Sequence, residues 1–138
     1  MIHKLKTSSY RLPLLYQKVS AGFPNPCSEF ISKPISLDEL LITRPSSTFM
    51  IRVDGLSMTP TIPNGAILIV DKSINATSNS IVVAIVDGDF IVKELIINKD
   101  KTAILHSHNP EYIDIIINER NQDTTEIWGV VTSYIKQL

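Results

Sequence analysis

From Thr48 onward the chain breaks into short runs rich in β-branched residues, and this segmentation constrains the fold more than any other feature. The runs are TFMIRV, AILIVD, SIVVAIVD, DFIVKELII, TAILHS, YIDIII and EIWGVVTSYI, separated by Gly, Pro or polar residues. Side chains branched at Cβ lose rotamer freedom in a helix and pack well on a pleated surface, so the pattern predicts a mostly β domain of twisted, mostly antiparallel strands. Asp87-Gly88 separates two of these runs, and glycine accepts the positive φ that tight hairpin turns need. SIVVAIVD and DFIVKELII are therefore expected to be paired neighbours.

The first 34 residues read differently. No apolar period is sustained there, and Pro13, Pro24, Pro26 and Pro34 exclude long helices and central strands. The expectation is an irregular arm over 1–34 and a folded domain over 35–138. At the junction, Ser36 and Glu39 have capping-box spacing, and Leu37, Leu40 and Leu41 can share one face of a short helix that Arg44-Pro45 stops. A chain of 138 residues suits one such domain plus an arm.

Composition narrows the function classes. Hydrophobic residues make up 43% and charged residues 20%, and a net charge of −1 predicts no strong pull toward nucleic acid or an anionic membrane, so no direct specific DNA binding is expected. The lone Cys27 cannot form an internal disulfide, no run approaches the roughly 18 apolar residues that cross a bilayer, and the first residues lack a secretory pattern. A cytoplasmic protein without membrane partners is expected. Asn75-Ala76-Thr77 then reads as a polar loop rather than a glycosylation site.

Two positions stand out chemically. Ser57 in VDGLSMTP lies just beyond an expected strand, with Gly55 before it and Pro60 after it, residues that tolerate a sharp bend exposing a hydroxyl and nearby N–H groups. By itself this pattern is weak, and an arbitrary serine so placed reads as an ordinary loop residue. Lys93 shares a strand face with Ile91 and Leu95; burial there would disfavour its ammonium form and make it a general base. The other face, Phe90, Val92 and Ile96, is apolar too, so an edge lysine reaching water fits the periodicity at least as well. Taken together, the two suggest a Ser-Lys dyad that needs no histidine. His3 stands in the arm, and His106 and His108, two apart with no third ligand, read as polar residues at a strand end; no metal or other cofactor is expected. Asp87, Asp89 and Glu94 read as turn and surface charges.

VDGLSMTPTIPNGAILIVD followed by IVVAIVDGDFIVKELI resembles the LexA-like family of self-cleaving serine peptidases, most closely its UmuD-type members, from about Ala21 to the carboxyl end. The resemblance implies a LexA-like peptidase fold with Ser57 as nucleophile, Lys93 as general base, and the backbone amides of Leu56 and Ser57 as oxyanion hole. Ala21-Gly22, within VSAGFPNPC, matches the bond such proteins cut in themselves, which makes the arm the substrate. The resemblance further implies a homodimer, self-cleavage stimulated by a RecA filament on single-stranded DNA in the SOS response, and service of the cut form beside a UmuC-type subunit in an error-prone translesion polymerase. LexA-like and phage repressors carry a helix-turn-helix ahead of the peptidase where only a short arm is read here, so a repressor or repressor fragment is a disfavoured rival; a non-catalytic interaction subunit is another. Gly65-Ala66 and Asn79-Ser80 depart from the Gly-Asp pairs common at those positions, which touches turn geometry more than the dyad.

Overall fold

The computed structural model describes residues 10–17 and 29–138, which divide into one unit up to Thr43 and another from Arg44 on. In the first unit, β1 (Leu12–Gln17) and β2 (Glu29–Ile35) pair antiparallel, and α1 (Leu37–Leu41) follows. The arm was expected to be irregular; its described residues instead form a two-stranded ribbon. Both strands of such a ribbon are edge strands, where a proline without an N–H can sit, and the register slips between Leu12 and Leu14, at Pro13. The helix begins as its capping signal predicts: the Glu39 amide donates to Ser36 Oγ at 3.1 Å. A cap of this kind is worth about 1 kcal/mol. Ala21, Gly22, Cys27 and His3 lie outside the described residues.

The second unit is a seven-stranded antiparallel sheet in the order β3-β4-β9-β5-β6-β7-β8. Its strands are β3 (Thr48–Arg52), β4 (Ile67–Asp71), β5 (Ile81–Val86), β6 (Asp89–Ile97), β7 (Ala103–His106), β8 (Ile115–Ile117) and β9 (Thr125–Ile135). All seven apolar runs form strands, and the fold is mostly β as expected. The β5–β6 hairpin turns at Asp87 and Gly88, whose φ values of 50° and 87° are the paired positive angles of a primed turn. YIDIII shrinks to Ile115–Ile117 because a turn occupies its start, with the Tyr112 amide donating to Asn109 O.

Both faces of the sheet's middle are buried, which explains why β5 reads as an unbroken apolar run. Val83 packs with Met58, Ile62, Ala66, Leu68 and Val70, whereas Val82 and Ala84 pack with Leu95, Leu105 and Val130. Long β9 carries an extra residue against each neighbour, and Gly129 is required there because a Cβ would stand 2.7 Å from Val70 Cγ1. The departures from the family pattern are absorbed locally. Ala66 is fully buried in the first cluster, and Asn79 takes a φ of 76°, a left-handed conformation asparagine tolerates where glycine would otherwise be needed.

Asp71, buried at the end of β4, accepts hydrogen bonds from the Ser73 hydroxyl and amide and the Ser47 hydroxyl, with Arg44 Nη1 at 3.2 Å. These bonds, Ser73's first, hold its carboxyl well below the usual range. A depressed carboxylate stabilises the fold fully above its unfolded value of about 3.9, and that contribution is lost as pH falls below it. Asp71→Asn should therefore lower the unfolding midpoint at pH 7 and narrow its gap to the parent chain as pH falls from 4 toward 2. A gap independent of pH in thermal melts would refute this.

Candidate active site

Ser57 sits on the connection between β3 and β4, which is anchored from below. Met58 and Ile62, 2% and 3% exposed, point into the core, and the Ile62 amide donates to Met58 O at 2.9 Å. Gly55 makes the bend, with φ of 141° and its amide donating to Asn64 Oδ1. The bend-borne serine of the sequence reading is thus found on a built turn.

Lys93 lies at the middle of β6, an inner strand between β5 and β7, and is 7% exposed. The edge-lysine alternative is excluded by that burial. Its cross-strand partner is Val82, so the ammonium stem runs over apolar neighbours, and Nζ ends 2.8 Å from Ser57 Oγ. Burial pushes its pKa down from the ordinary lysine value, and the negative charge of Asp114 opposes this more weakly. A hydroxyl and a destabilised ammonium at hydrogen-bond distance are the parts of a nucleophile–base pair.

The backbone around Ser57 is oriented by Asn109. Its amide donates to Ser57 O at 2.9 Å, and its Nδ2 donates to Leu56 O at 3.0 Å. Both carbonyls are thereby held on one side, and among the described residues the Leu56 and Ser57 amides have no protein acceptor. A cleft of about 240 Å³ opens beside Ser57 and Lys93, walled mainly by Ile51, Val53, Phe90 and Val92.

Sequence reasoning missed Asn109, Thr61, Glu94 and Asp114. Asn109-Pro110 is a turn signal, yet nothing local links it to a serine 52 positions earlier. Glu94, read as a surface charge, is half-buried and bonded to His108; His106 Nδ1 pairs with Asp114 Oδ1 at 2.8 Å. Among the described residues, no group of three or more His, Cys, Asp or Glu is placed to hold a metal ion, and no helix is long and apolar enough to cross a membrane.

Residues 13–132 match the family described as Peptidase S24-like. The chain is 36% identical over 124 residues to protein MucA of Salmonella typhimurium, covering 89% of this chain and 83% of that one. It is 33% identical to protein ImpA of Shigella flexneri over 128 residues, with 92% and 85% of the two chains covered. Similarity to the LexA repressor of Proteus mirabilis is 34% over 127 residues, spanning 91% of this chain but 60% of the repressor.

Proposed function

The chain belongs to the Peptidase S24-like family, and from that premise we propose that it is a self-cleaving serine peptidase acting through Ser57 and Lys93. The observation that carries this reading is the 2.8 Å approach of Lys93 Nζ to Ser57 Oγ, with the lysine buried. Neutral Nζ takes the hydroxyl proton as Oγ bonds to the carbonyl carbon of Ala21. The amides of Leu56 and Ser57 receive the oxyanion, where preorganised donors stabilise developing charge. Collapse breaks the bond to the Gly22 nitrogen, which leaves with the proton from Lys93. Water then attacks the ester, Lys93 takes one of its protons and passes it to Ser57 Oγ as the Ala21 carboxylic acid departs, and that acid releases the other proton to solvent.

The relatives support a wider setting by their likeness to this chain. We place the reaction in the cytoplasm and the SOS response, stimulated by a RecA filament, with the cut chain acting as a homodimer beside a UmuC-type polymerase subunit. The proline-bearing segment after Gly22 suits the substrate role, since Pro24 and Pro26 keep it out of a helix and an extended strand can enter the cleft.

The test is direct. Purified chain incubated at raised pH should shorten to one fragment beginning Gly-Phe-Pro, and Gly22→Val should slow that cut because a branched Cβ crowds the serine's approach. Amino-terminal sequencing decides. Ragged ends would identify an exposed arm nicked by stray proteases, and a chain that stays intact at every pH would identify a non-catalytic interaction subunit.

A further inference from the structure

Thr61 follows Ser57 by four positions on the same connection, and Glu94 follows Lys93 directly on β6. One imidazole joins them. His108 Nδ1 lies 2.6 Å from Thr61 Oγ1, and Nε2 lies 2.7 Å from Glu94 Oε1. The His108 and Glu94 side chains are 19% and 20% exposed, so water competes little for the bond between them, whereas the bond to Thr61 lies nearer the surface. A carboxylate only accepts, so the bond to Glu94 is one that Nε2 donates, and Nδ1 shares the second bond with the Thr61 hydroxyl. Both ring nitrogens are then used, and the ring has one orientation.

We propose that His108 is a positioning residue, a strut that fixes the Ser57 turn against the strand carrying Lys93. This rests on the reading of Ser57 and Lys93 as nucleophile and base. Among the described residues, the dyad's own bond is the one direct hydrogen bond between residues 53–65 and β6. The proton travels along that bond, which exchanges donor for acceptor as Oγ turns to the carbonyl, so its strength changes through the reaction. His108 supplies a second link that the chemistry leaves untouched. Asn109 beside it grips the carbonyls of Leu56 and Ser57, and the two residues together hold the turn at its backbone and at its far end.

Self-cleavage of the full chain at raised pH is measured for His108→Leu, Thr61→Val and the double variant, with unfolding midpoints on the same samples. A misplaced reacting group costs up to about 10²-fold, so His108→Leu should slow cleavage by about 10- to 100-fold. Thr61→Val should slow the parent chain by a few-fold and change nothing further once His108 is leucine, because its partner is gone. His108→Asn and His108→Gln should each recover part of the rate, the first replacing the partner of Thr61 and the second the donor to Glu94. Independent multiplication of the two single effects, or His108→Leu cutting at the parent rate, would overturn the strut. A second readout needs no cleavage: in a Ser57→Ala background, His108→Leu should speed hydrogen exchange at the Thr59 and Ile62 amides of the turn by about tenfold. Unchanged exchange there refutes the strut even if the parent chain never cuts itself, an outcome that would separately refute the dyad.

Discussion

Ser57→Ala should leave a folded chain that no longer cuts itself, with a loss on the order of 10⁴-fold or more. The oxygen that forms the bond to the scissile carbon is gone, and no neighbouring group can replace it: Thr61 Oγ1 is committed to His108. Folding should survive because the turn does not depend on that oxygen. Its anchors are the buried side chains of Met58 and Ile62 and the Asn109 bonds to Leu56 O and Ser57 O. Intact mass over time at raised pH, beside a thermal melt, checks both halves. Cleavage at the parent rate would remove Ser57 from the mechanism, and a lost melting transition would show that the hydroxyl is structural.

For Lys93 the expected result is a rate that climbs with pH. Only neutral Nζ can accept the serine proton, so cleavage should rise tenfold per pH unit below the lysine's lowered pKa and level off above it. Burial lowers that pKa and Asp114 raises it, so Asp114→Asn should shift the climb to lower pH without changing its slope. Lys93→Met should abolish the climb and also stabilise the fold. The unfolded chain holds the lysine proton more tightly than the folded one, so folding near neutral pH works against the ammonium's burial, and a thioether of similar length does not. A flat profile in the parent chain, or a shift to higher pH on Asp114→Asn, would contradict the assignment of Lys93 as base. Loss of stability in Lys93→Met would show instead that the 2.8 Å bond to Ser57 outweighs the cost of burying the amine.

The strands, the β5–β6 hairpin and the cap of α1 were legible because each is governed by neighbours along the chain: side-chain branching, positive φ at Asp87-Gly88, an oxygen at Ser36 three residues before an amide. The same local chemistry exposed Ser57 as a residue at a bend. It could not decide Lys93, because both faces of DFIVKELII are apolar; the choice came only with the tertiary packing that buries the Lys93 side chain. The ribbon in the arm escaped notice because prolines that bar a central strand do not bar an edge. Thr61 and His108 are 47 positions apart and Leu56 and Asn109 are 53 apart. Periodicity within a strand says which face a residue takes but nothing of which distant loop will lie across from it. Sequence alone therefore determined the strands, the hairpin and the candidate nucleophile, while the burial of Lys93 and the contacts of the Ser57 turn were decided by the packing of segments remote in the chain.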